Sequence, residues 1–148
     1  MNSFFLLSIL ALIVGALIPV QAATNAALSH SLGNILYPSL VVFAVGLCMV
    51  ATAILVMNVK IPPLTAFASA PVYGYLGGFV VGSYVLSITY LAPRIGVGNA
   101  ICFIVTGQIL AAVIIDHFGL FKSTQVPISK ERLLGMALMI IGLFLARK

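Results

Sequence analysis

Charge is what this chain has least of. No Asp, Glu, Lys or Arg occurs between Met1 and Val59, and further uncharged runs extend from Ile61 to Pro93, from Ile95 to Ile115 and from Leu133 to Ala146. Soluble domains carry charge on about a quarter of their residues. Here 6% of residues are charged and 63% are hydrophobic. So few water-facing groups cannot cover a soluble surface, which excludes a soluble domain and makes lipid the expected solvent. Cysteine is scarce as well: Cys48 and Cys102 lie in separate apolar runs, where cysteine packs as a small hydrophobe. No Cys/His cluster, phosphate-binding glycine loop or nucleophile–base pair is present, so no enzyme, metal or cofactor is expected.

What remains is hydrophobic length. About 20 apolar residues carry a helix across the ~30 Å hydrocarbon core. The chain divides into five such segments, Phe4 to Ala27, Tyr37 to Asn58, Pro71 to Ala92, Gly96 to His117 and Lys130 to Arg147. The expectation is an all-α, five-helix transmembrane bundle forming one domain over residues 1–148. Lipid forces helix because each backbone N–H and C=O needs an internal partner. A membrane β-barrel would alternate apolar and polar residues, and Leu36 to Val59 does not alternate. Val20-Gln21-Ala22 imitates a signal-peptide cleavage site, but the positive n-region of such a peptide is missing before it.

Turn residues agree with this division. Pro62-Pro63 ends the second segment, Ala92-Pro93-Arg94-Ile95-Gly96 reads as a tight turn, and Gly119 fits a left-handed cap. Ser129 fits an N-cap for the last helix, with Glu131 in its first turn, and Arg132 and Arg147 can snorkel near its ends.

Five crossings put the termini on opposite sides. Lys60, Lys122, Lys130 and Arg132 fall on the N-terminal side, and Arg94, Arg147 and Lys148 on the other. Four against three is almost no positive-inside bias. A single forced choice puts the N-terminus in the cytoplasm, but insertion in both orientations fits the count better. The basic residues are scattered over both ends, whereas nucleic-acid binding needs a basic patch. Lipid is therefore the expected partner, and nucleic acid is not.

Gly74, Gly78 and Gly82 form a small-residue stripe at spacing four, a helix-packing feature in lipid. Tyr84 falls on another side of that helix, where it suits either a cavity wall or the interface. Gln21 and Asn25 share one face of the first helix, just after Pro19. They can hold a polar solute or bond across helices as structural glue. On the fourth helix Asn99 and Thr106 align with His117, and Gln108 falls nearly opposite. Either face suits a cavity. Asp116 is the only acid before Glu131. It reads as a protonatable gate or coupling acid tuned by His117 or Arg94, or as an interfacial ion pair ordering the loop that follows.

Several of these stretches together resemble the YdcZ-type bacterial inner-membrane proteins of the drug/metabolite transporter superfamily. They are Gly15-Ala-Leu-Ile-Pro-Val-Gln21-Ala-Ala-Thr-Asn25, Leu76-Gly77-Gly78, Pro93-Arg94-Ile95-Gly96, Gly107-Gln108, Asp116-His117-Phe118-Gly119, Arg132-Leu-Leu-Gly135 and Ile141-Gly142. The resemblance spans nearly the whole chain. It implies a five-helix half-transporter of unassigned substrate, since larger superfamily members hold two such halves in inverted orientation. Inverted repeats around a midplane site provide alternating access. The combined expectation is an antiparallel, dual-topology homodimer that moves a small polar metabolite or drug-like solute across the bacterial inner membrane. The small multidrug-resistance pumps of the superfamily carry a glutamate in their first helix. This chain has Gln21 and Asn25 there, so a neutral or zwitterionic solute fits better than a hydrophobic cation. Two alternatives stand beside transport: a non-transporting subunit of another membrane assembly, and a passive channel.

Overall fold

The structure is a computed structural model and describes Ser3 to Ala146. Arg147 and Lys148, which enter the charge count, lie outside the described residues. Among the described residues there is helix and no strand. The six α-helices are α1 (Ser3–Leu32), α2 (Leu36–Val56), α3 (Leu64–Ser69), α4 (Leu76–Ile95), α5 (Val97–Phe118) and α6 (Lys130–Ala146). The fold divides at Pro93 into two compact units.

In the first unit, α1 runs unbroken through Pro19 to Leu32. A proline costs one backbone donor, and membrane helices tolerate this when nearby hydroxyls occupy neighbouring carbonyls. Here the Thr24 hydroxyl donates to the Val20 and Gln21 carbonyls, both at 3.0 Å. Gly33 at φ +71° then ends the helix. The Asn34 side chain accepts from the Leu36 N–H at 2.9 Å, satisfying one of the orphan donors at the start of α2. α1 and α2 pack together.

The α2–α4 connector has more structure than its prolines predict. It holds α3 and a 3₁₀ turn over Val72–Tyr75, and the Tyr75 hydroxyl donates to the Phe67 carbonyl at 2.6 Å. α4 also continues past the turn expected at Pro93, as far as Ile95. A proline in the last helical turn removes a single bond, so the break falls instead on Gly96, at φ +85°, a conformation that glycine adopts without steric cost.

In the second unit, α5 ends on Gly119 in the left-handed conformation, φ 60° and ψ 35°. The last carbonyls of a helix lack intrahelical donors, and the 119–129 loop supplies them. The Ser123 hydroxyl donates to the Ile115 carbonyl at 3.4 Å, the Val126 N–H to that of Asp116 at 2.9 Å, and the Gln125 amide to that of His117 at 3.0 Å. Ser129 caps α6, its hydroxyl accepting from the Arg132 N–H at 3.2 Å. A side chain at Gly119 would meet the Gln125 Cβ at 3.4 Å in addition to the left-handed strain. Gly119→Ala is expected to lower stability by about 1–2 kcal/mol, read as a lower melting temperature in detergent.

Among the described residues four helical stretches are long and apolar enough to cross a membrane: Ser3–Leu32, Leu36–Val56, Val72–Ile95 and Val97–Phe118. α6 has 17 residues, roughly 26 Å at 1.5 Å per residue and near the lower limit for a crossing. The exposed side chains are mostly apolar, among them Phe4, Leu12, Leu40, Leu47 and Phe79, as a lipid-solvated surface requires. Within the first unit a Cβ built at Gly74, Gly78 or Gly82 would meet nothing within 4 Å. The glycine stripe is therefore open there and does not hold two helices of that unit in close contact.

Candidate functional site

α1, α2 and α4 line an open-sided cavity of about 440 Å³, within the usual range for small-molecule pockets. Gln21 reaches it from α1 and Tyr84 from α4, while Val42, Phe43 and Leu47 of α2 supply apolar wall. The Tyr84 hydroxyl is buried and has no hydrogen-bond partner among the described residues. Buried polar atoms normally find partners, so this one marks a place where a hydrogen-bonding group is wanted.

Asn25 lies one turn beyond Gln21 and has a different environment. It is buried, and its amide donates to the Thr89 hydroxyl of α4 at 3.4 Å. The two side chains on one face of α1 are thus divided: Gln21 faces the cavity and Asn25 joins α1 to α4. Interhelical hydrogen bonds in lipid contribute about 0.5–1 kcal/mol each. Thr89→Val and Asn25→Leu are each expected to destabilise by about that amount. The double substitution should cost less than the sum of the two, because neither partner is then left unpaired. Melting temperatures of the four proteins test this.

In the second unit Asn99 and Thr106 of α5 each bond back to a carbonyl four residues earlier, which for Asn99 is the last residue of α4 and for Thr106 lies within α5. The Asn99 amide donates to the Ile95 carbonyl and the Thr106 hydroxyl to that of Cys102, both at 2.8 Å. Gln108 is exposed. Cys102 and Thr106 also border a small crevice with Phe103 and Phe144, whose rings meet edge to face at 5.8 Å.

Asp116 forms an ion pair with Arg132 of α6 at 2.5 Å, with both side chains about one-third exposed. The same guanidinium donates to the Val126 carbonyl at 3.3 Å. His117 Nδ1 accepts from the Ile128 N–H at 3.3 Å. Asp116, His117 and Arg132 thus clasp the 119–129 loop onto the end of α5 and the start of α6. Arg94 stands in the last turn of α4, where a cation complements the helix dipole.

Three contributors escape a reading by sequence. The cavity wall of α2 sits in an unbroken apolar run that singles out no residue. Thr89 looks like any hydroxyl in a span, although it falls one turn from Val85 on the buried side of α4. Arg132 reads as a snorkelling residue, and only the path of the loop brings it to Asp116.

No curated protein and no solved structure matches the chain. A family model does, over residues 6–145; its description reads "Putative inner membrane exporter, YdcZ". That match covers nearly the whole chain and agrees with its apolar spanning helices. The chain therefore belongs to the YdcZ family and is a multi-pass protein of the bacterial inner membrane.

Proposed function

We propose that this chain is half of an alternating-access transporter and works as an antiparallel homodimer with α6 as its fifth crossing. The observation that carries the reading is a solute-sized cavity with an unpartnered hydroxyl, in a chain whose basic residues give almost no orientation bias. Two inverted copies supply the pseudo-symmetry that alternating access uses. The cargo in this reading is a small polar metabolite or drug-like solute held by Gln21 and Tyr84, and the family description supports outward movement. Asn99, Thr106 and Gln108 stand as further candidates to meet that solute. A cavity with two polar groups in an otherwise apolar wall suits a binding site better than a continuous pore.

A thermal-stability screen of the purified protein against metabolites tests this reading, since a ligand that binds only the folded form raises apparent stability. At a hundred times its Kd a true ligand adds about 2.7 kcal/mol, and flux of that ligand into vesicles should saturate. Flux rising linearly with concentration points to a channel. Absence of any ligand, with purification only alongside a different membrane protein, points to a subunit of another assembly.

In the same reading Asp116 is the coupling or gating acid, with His117 beside it, Arg132 as its ion-pair partner and Arg94 as a further gating candidate. Asp116→Asn removes the ion pair but keeps the backbone carbonyl that Val126 uses. A partly exposed pair contributes about 0–1 kcal/mol, so the variant should fold. Its transport is expected to lose its dependence on a pH gradient. An unchanged dependence removes Asp116 from coupling.

A further inference from the structure

We infer that the α1–α2–α4 cavity selects an uncharged, largely apolar solute with one hydrogen-bonding head group, which is held between the Gln21 amide and the Tyr84 hydroxyl. The inference rests on the transporter reading and narrows its cargo to the drug-like alternative, setting the small polar metabolite aside. Three observations support it. First, among the described residues no charged side chain lines the cavity. A charged or zwitterionic solute would have to shed its hydration without a counter-charge, which a low-dielectric site penalises heavily. Second, the wall is apolar apart from two groups, Gln21 on α1 and Tyr84 on α4. The Tyr84 hydroxyl is buried without a partner among the described residues, while Asn25, the other amide on that face of α1, is already engaged by Thr89. The available polar contact is therefore confined to one end of the solute. Third, Gly46 lies in the α2 wall, and a Cβ there would meet nothing within 4 Å. A Cβ at 46 would enter solute space without striking protein.

The Gln21 amide both donates and accepts, and so does a phenol. The pair can therefore hold a hydroxyl, a carbonyl or an amide head group equally well. Ionic head groups are what the site rejects. This separates the chain from pumps that balance a cationic substrate with an acid inside the membrane.

The test compares three probes on one carbon skeleton: 2-naphthylmethanol, 2-naphthylmethylammonium and 2-naphthoate. Their binding to the full-length protein in nanodiscs is measured by equilibrium dialysis against empty nanodiscs, which subtracts lipid partitioning. The alcohol is expected to bind above the empty discs, and the ammonium and carboxylate are not. Tyr84→Phe and Gln21→Leu should each weaken binding of the alcohol roughly three- to tenfold, the effect of one net hydrogen bond. Gly46→Leu should abolish it while the melting temperature stays near that of the parent. Equal or tighter binding of either ion overturns the inference, and so does unaltered alcohol binding in both Tyr84→Phe and Gln21→Leu. Uptake into sealed vesicles separates this from the broader reading. If the alcohol binds as described but never crosses with saturation, transport fails and the site stands. If saturable transport is found only for ions, the site's selectivity fails and transport stands.

Discussion

Two variants that each fail to dimerise should pair when made together. The expectation follows from the charge count. Replacing Lys60 with Ser, Lys122 with Asn and His30 with Lys leaves two basic residues on the N-terminal side of the five-crossing topology and puts four on the other. Adding lysines at Thr65 and Thr124 instead makes the count six against three, biased in the opposite sense. All five positions are exposed, so these changes spare the packing. Positive residues in short loops are retained on the cytoplasmic side, so each variant should insert in one orientation, and the two orientations should be opposite. An antiparallel dimer then needs one copy of each. Carrying different affinity tags, the variants should co-purify strongly when co-expressed, and each alone should run as a monomer in mild detergent. Parent-like dimers from either variant alone are the contrary result. The effect is close to all-or-none because orientation fixed during insertion is not exchanged afterwards.

The second large effect is on packing. Ile88 is completely buried, and Thr89 beside it is equally inaccessible. In water, cutting such an isoleucine to alanine costs about 2–5 kcal/mol through lost transfer energy and the cavity left behind. In lipid the transfer part largely disappears because the tails are as apolar as the core. The cavity part remains, since a void has no atoms to replace the lost dispersion contacts. Ile88→Ala is therefore expected to cost about 1–3 kcal/mol, visible as a clear fall in melting temperature. The same change at Leu40 or Phe79, which are exposed, should cost much less. A uniform loss across all three sites would mean that hydrophobicity, and not packing, holds this bundle together.

The comparison of sequence with structure turns on how local each signal is. Gly119 and Ser129 announce their caps because capping is decided by one residue and its nearest neighbours. Pro93 is equally local but misleads. The tight turn it suggests at Ala92 to Gly96 reduces to Gly96 alone, because a proline near a helix end costs too little to break it. Pro19 likewise sits within α1 without ending it. The cavity is half legible. Gln21 and Tyr84 stand out as polar groups in apolar surroundings, whereas Val42, Phe43 and Leu47 are apolar residues among many. Which of two neighbouring amides lines the cavity and which bonds to Thr89 depends on how α1 is rotated against α4, and four-residue spacing on one helix carries no such information. The Asp116–Arg132 pair spans 16 residues and exists because the loop between them folds back. Its backbone bonds could be anticipated from the orphan carbonyls of α5, but its course could not.

If the two halves of the transporter are one chain inserted both ways, its C-terminus lies on both sides of the membrane. A single cysteine added after Lys148, with Cys48 and Cys102 replaced by serine, measures this directly. Labelling intact cells with a membrane-impermeant maleimide, before and after permeabilisation, counts the C-termini on each side. The account predicts two populations of comparable size, one labelled from outside and one only after permeabilisation. A C-terminus found wholly on one side contradicts it.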